Sequence, residues 1–145
     1  MLELSRYLFL IGALPFIALG FAHAVATPQT PADTKGLSPR DPAVRGAMAS
    51  DRILLTRRTT VWLAWVGFNM SHSLGATLFG VVVVLIGRSS ASFETQAIVF
   101  LPLAVLVSAI YLVLAARYWF RTPIIAISLA SVSFLVAWLS QLLGR

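Results

Sequence analysis

The chain has 145 residues, 59% of them hydrophobic and only 11% charged, with a mean hydropathy of +0.88. Soluble domains carry about 25% charged and 45–50% apolar residues, so too little polar surface is present to cover a water-soluble fold, and the class is membrane protein. Cysteine is absent, which excludes disulfides, thiolate metal sites, iron–sulfur clusters and cysteine nucleophiles together.

A spanning helix needs about 20 mostly apolar residues. Runs at 7–26, 61–87, 97–119 and 123–143 satisfy that requirement. The expected fold is an all-α membrane protein, a single four-transmembrane-helix bundle over 1–145. Each spanning backbone must satisfy its own hydrogen bonds, and these segments are too few for a barrel. The first run has a rival reading. Arg6, the apolar stretch and then Ala22-His23-Ala24 or Ala24-Val25-Ala26 match the charged start, core and cleavage site of a secretory signal. Against it, Gly12, Pro15, Gly20 and His23 give the run more packing features than a signal core requires.

The segment 27–60 opens rich in proline and then reads Ser38-Pro39-Arg40-Asp41-Pro42. Asp41 before Pro42 has the form of an N-cap followed by proline at the first helical position. That predicts a short interfacial helix through about Ala49, with arginines toward lipid phosphates; a solvated connector is the alternative.

Charge then gives a direction. Across four spans, Arg6, Arg88 and Arg145 share one side, while Lys35, Arg40, Arg45, Arg52, Arg57, Arg58, Arg117 and Arg121 share the other. The positive-inside rule places the loop 27–60 in the cytoplasm and both termini on the periplasmic or extracellular face of a bacterial inner membrane. Trp62, Trp65, Tyr118 and Trp119 lie at the cytoplasmic ends of their spans, where an aromatic belt belongs. The net charge of +6 is therefore a topology signal, and no aromatic-basic groove motif points to nucleic acid.

The second span carries the chemistry. At about 100° per residue, Asn69, His72, Ser73, Ala76 and Gly80 share one face, continued by Trp62 and Trp65. Gly67, Ser71 and Gly75 form a second stripe of small residues, the pattern that lets a neighbouring backbone approach closely. The span is then gripped on two sides, with mainly Met70, Leu74 and Leu78 left to lipid. An amide and an imidazole in a span need partners. Ser108 and Tyr111 on the third span, or Ser133 and Ser140 on the fourth, are available. His72 reads either as a structural bridge or as a ligand contact. His23, near the cytoplasmic end of the first span, either packs, snorkels to the interface or joins the ligand set.

Two histidines on facing helices also raise bis-imidazole haem b, which requires a shared depth. His23 lies about 6 Å from the end of its span, whereas His72 lies about 21 Å past Arg58 or about 10 Å past Trp65, depending on where the second span enters hydrocarbon. Zinc or di-iron centres need more nitrogen or carboxylate ligands than this chain places in its spans. Ser71-His72-Ser73 is no catalytic pair, because adjacent helical residues point about 100° apart and no acid orients the ring. Proton-driven transport normally uses a buried carboxylate relay, and no acid lies inside an apolar run.

Together, Gly20-x-x-His23, Pro39-Arg40-Asp41, Thr59-Thr60-x-Trp62, Gly67-Phe68-Asn69-x-Ser71-His72-Ser73-x-Gly75 and Arg117-Tyr118-Trp119-Phe120 resemble an uncharacterised family of small bacterial four-helix inner-membrane proteins. The resemblance covers most of the chain. It implies a four-span inner-membrane protein and no established activity.

The leading functional expectation is a polar pocket for an amphiphilic small molecule, a quinone or a lipid. Asn69 and His72 would bind its polar end, with Ser73, Tyr111 and His23 assisting. Two alternatives stand beside it. One is an accessory subunit packed against a membrane protein partner, or a homo-oligomer, through Gly67, Ser71 and Gly75. The other is a b-type haem protein of membrane electron transfer.

Overall fold

The computed structural model describes residues 1–144 and is all-helical: α1 Leu2–Ala26, α2 Pro42–Ser50, α3 Val61–Gly87, α4 Ser90–Tyr118 and α5 Arg121–Leu143. Four of these, of 25, 27, 29 and 23 residues, are long and apolar enough to cross a membrane. The chain is a four-span, multi-pass membrane protein.

The starts of α1 and α4 lie five and seven residues earlier than apolar run length suggests. Helix α1 begins at Leu2 because Glu3 and Arg6 pair one turn apart, and Arg6 also donates to the Gly87 carbonyl at 3.1 Å. A cation thereby satisfies the last carbonyl of α3, where the helix dipole is negative. Helix α4 begins at Ser90 because the Ser89 hydroxyl caps it, accepting from the Ser92 N–H. Polar residues at both starts sit at the edge of the apolar band, where composition alone reads them as loop.

The chain divides into two compact units, Met1–Leu19 with Ala76 onward, and Gly20–Gly75. The first unit is a bundle of the early part of α1, the later part of α3, α4 and α5. Its core alternates aromatic plugs with alanines: Phe9, Phe16, Phe93 and Phe134 are fully buried, as are Ala13, Ala97, Ala130 and Ala137. Lipid tails are as apolar as leucine, so hydrophobicity does not drive these helices together. Close van der Waals approach does. Phe16 meets Phe79 at 4.7 Å and Tyr111 at 5.2 Å between ring centroids, both edge-on, and Phe9 meets Phe134 at 5.7 Å. The buried Ser5 hydroxyl donates to the Ala137 carbonyl at 2.7 Å, binding α1 to α5. With Phe9, Ala13 and Phe16 in the core, the first span is an integral part of the bundle.

Glycine makes the tightest of these approaches. A Cβ on Gly80 would stand 2.5 Å from the Ile17 side chain and 3.0 Å from the Ala13 carbonyl oxygen. On Gly67 or Gly75 it would meet nothing within 4 Å.

In the second unit the connector is built as well as helical. Asp41 accepts from the Ala43 N–H at 2.8 Å, with Pro42 opening α2, so the predicted capped helix forms. Its Arg45 turns back into the loop, donating to the carbonyls of Pro31, Pro39 and Arg40. That corrects the expectation of arginines on α2 facing lipid phosphate, because loop carbonyls hold this guanidinium. Asp33 closes a turn by accepting from the N–H groups of Gln29 and Thr30 at 2.9 and 3.0 Å. Those bonds, the Thr30 one foremost, hold its carboxyl below the ordinary carboxylate value.

Gly80→Ala is expected to destabilise the bundle by about 1–3 kcal/mol, because backbone atoms of α1 cannot yield to the new methyl. Gly67→Ala should change stability by less than about 0.5 kcal/mol or improve it slightly. Denaturant unfolding in micelles measures both, and equal effects would overturn this assignment of the close contact.

Candidate functional site

The polar face of α3 is buried. Trp62 is 2% exposed, Asn69 6%, Ser73 2% and Ala76 5%. Within the second unit Asn69 finds His23: His23 Nε2 and Asn69 Oδ1 lie 2.8 Å apart. The Asn69 amide group also donates from Nδ2 to the Trp65 carbonyl on its own helix at 2.8 Å. That second bond decides the amide orientation, since a flipped amide would set oxygen against oxygen. Oδ1 can only accept, so His23 Nε2 must carry the proton. The pair thus fixes the tautomer of a membrane-embedded imidazole without a carboxylate.

His72 lies beside this pair. Its ring is 5.2 Å from that of His23 in an edge-to-face arrangement at 63°, and nearly parallel to Phe68 on its own helix, at 6.3 Å and 15°. Both histidines are half-buried. The Phe68 contact has the i,i+4 spacing that helices bring into register, so it was visible in the sequence; the pairing of His23 with Asn69, being tertiary, was not.

The shared depth of the two rings settles how α1 and α3 are offset here. His23 lies three residues from Ala26, the end of α1, and His72 eleven residues from Val61, the start of α3. At 1.5 Å per residue these are about 4–5 Å and about 16 Å. The first turns of α3 therefore run on the order of 12 Å beyond the end of α1. The connector packs against them: Thr27 is fully buried, the Trp62 indole donates to the Gln29 carbonyl at 3.4 Å, and Leu37 N–H reaches the Ala26 carbonyl at 3.1 Å. His23 turns inward to the amide.

Other expected members of the site fall differently. Ser73 is buried, and its hydroxyl donates to the Asn69 carbonyl at 2.8 Å, leaving its oxygen as an acceptor. Tyr111 belongs to the first unit, where its ring meets Phe16; the second-unit cluster is His23, Asn69, His72 and Ser73. Gly67, Ser71 and Gly75 are exposed. Among the described residues nothing lies within 4 Å of a Cβ built on Gly67 or Gly75, which corrects the expectation of a grip on two sides. The Ser71 hydroxyl donates to the Phe68 carbonyl of its own helix at 2.9 Å. The close approaches that small residues permit occur instead at Gly12, Gly80 and Gly87.

The arrangement also bears on metal chemistry. Among the described residues no three histidine, aspartate or glutamate side chains converge. Axial imidazoles at about 2 Å from a shared iron must point a nitrogen each at the metal from opposite sides of a porphyrin. Here His23 turns Nε2 to Asn69 and presents its ring to His72 edge to face, which does not provide that slot. The cluster is suited to hydrogen bonding with a neutral polar group. No protein-family model, curated protein or solved structure matches this chain.

Asn69→Leu is expected to cost about 0.6–2 kcal/mol of stability, the range for hydrogen bonds between membrane helices, and to shift the imidazole nitrogen resonances of His23. Unchanged His23 resonances in the variant would show that the bond does not hold that ring.

Proposed function

We propose that this protein binds an amphiphilic small molecule, a quinone or a lipid, whose polar end meets the His23, Asn69 and His72 cluster. The observation that carries the reading is the pair of half-buried imidazoles 5.2 Å apart, one of them held as an Nε2–H donor by an amide. A polar group is costly in a span unless it is matched, and here three such side chains gather at one level.

The chemistry offered is recognition rather than bond making. The His72 imidazole can donate an N–H to a carbonyl, as in a quinone ring or an ester-linked head, and the apolar surroundings strengthen such a bond relative to water. Asn69, bonded on both sides of its amide, positions the His23 ring beside that of His72. The buried Ser73 oxygen adds an acceptor for a hydroxyl-bearing head.

His72→Ala should reduce the quinone or lipid recovered by solvent extraction of the purified protein by roughly two- to tenfold, the value of one hydrogen bond. Gly75→Leu, on the exposed stripe, should leave it unchanged. An unaltered complement in His72→Ala would overturn the reading. Loss of a co-purifying protein in Gly75→Leu alone would favour an accessory subunit instead.

The excess of arginine and lysine in the connector and the α4–α5 turn supports a bacterial inner-membrane location with those segments cytoplasmic and both termini periplasmic. Since the chain has no native cysteine, Thr34→Cys gives one thiol. It should resist a membrane-impermeant maleimide in intact cells and react after lysis. Labelling before lysis would reverse the orientation.

A further inference from the structure

Between α2 and α3 the chain makes a small closed hairpin that none of the site residues uses. Its base is set by the Val61 N–H donating to the Asp51 carbonyl at 3.0 Å and by the antiparallel bridge between Arg52 and Thr60. A turn bonds Thr56 N–H to the Ile53 carbonyl at 3.3 Å, the Arg58 N–H donates to the Thr56 hydroxyl, and the Arg52 guanidinium crosses to the Arg57 carbonyl. This scaffold presents the two most exposed large apolar side chains of the protein, Leu54 at 108% and Leu55 at 92%. Arg52, Arg57 and Arg58 flank them, all exposed, and no acid lies between Arg52 and Thr60.

We propose that this hairpin is a membrane-surface anchor: Leu54 and Leu55 insert at the headgroup boundary of the leaflet that α3 enters, while Arg57 and Arg58 engage anionic lipid phosphates. Chain continuity supplies the reach. Leu55 is six residues from Val61, so it cannot lie more than about 20 Å from the first residue of the span, and the headgroup layer is itself about 5–7 Å thick on each side. Apolar side chains beside arginines are the composition that interfacial segments use, the stems lying on hydrocarbon and the charges on phosphate. Charge complementarity favours lipid that carries net negative charge, at about 1 kcal/mol per arginine near the surface. Arg45 is held by the carbonyls of its own loop, whereas Arg57 and Arg58 of the hairpin are exposed.

The absence of native cysteine permits a direct test. Leu55→Cys in the full chain, labelled with an environment-sensitive fluorophore, is reconstituted into vesicles of phosphatidylcholine alone or with phosphatidylglycerol added. The label should emit to the blue, and be quenched by lipids carrying a nitroxide near the headgroup, most strongly with phosphatidylglycerol. Adding Arg57→Gln and Arg58→Gln should weaken insertion by roughly fivefold per arginine. Gly46→Cys on α2, where a Cβ meets nothing within 4 Å, supplies a solvent-exposed reference. Water-like emission at Leu55→Cys in both vesicles would overturn the proposal. So would a blue shift that appears only when another protein is added, since the leucines would then belong to a protein interface.

Discussion

The bond from His23 to Asn69 determines more of this molecule than any other single contact in the second unit. It brings together the end of α1 and the third turn of α3, and in doing so offsets the end of the one from the start of the other. A helix of 27 residues is about 40 Å long, against a hydrocarbon core near 30 Å. The surplus of α3 is placed on the connector side, where Trp62 and the buried Thr27 give the emerging chain something to pack on. The folded connector and the hairpin at the foot of α3 follow from that surplus length.

The bundle of the first unit obeys a different constraint. Its helices are apolar all round, so no amphipathic stripe tells a reader which face turns inward. What distinguishes the inner faces is side-chain size. Alanine and glycine let backbones close, and phenylalanine, with Leu101, Val83 and Ile127, fills what they leave, while Leu14, Val99, Leu129 and Val132 of comparable hydropathy remain outside. Burial here is decided by shape and by contact rather than by transfer from water.

These two constraints explain what could be read from the sequence. Span number and class follow from apolar run length, and 61–87 matches α3 residue for residue because Thr60 and Arg88 bound it sharply. The starts of α1 and α4 were hidden by Glu3, Arg6 and Glu94, charges that a helix tolerates once it reaches the headgroups. Capping at Asp41 was legible because it is a local bond. The face of Asn69, His72 and Ser73 was legible from periodicity. Its partner was not, since rise arithmetic left two depths for the histidines about 11 Å apart, and only packing chooses between them. Small-residue spacing at Gly67, Ser71 and Gly75 misled for a related reason: it states that a backbone can approach, without saying that this chain supplies one.

The bond from Ser5 to Ala137 joins residues 132 positions apart. Helix α1 is made well before α5, so the carbonyl that its buried hydroxyl requires does not yet exist when α1 emerges. During synthesis the opening span must therefore wait in the bilayer with Phe9 and Phe16 toward lipid and Ser5 lacking its final acceptor, until α5 arrives and closes the bundle. Assembly of this unit therefore depends on an acceptor that α5 supplies, and a lesion around Ala137 would be felt at the opening turns of α1.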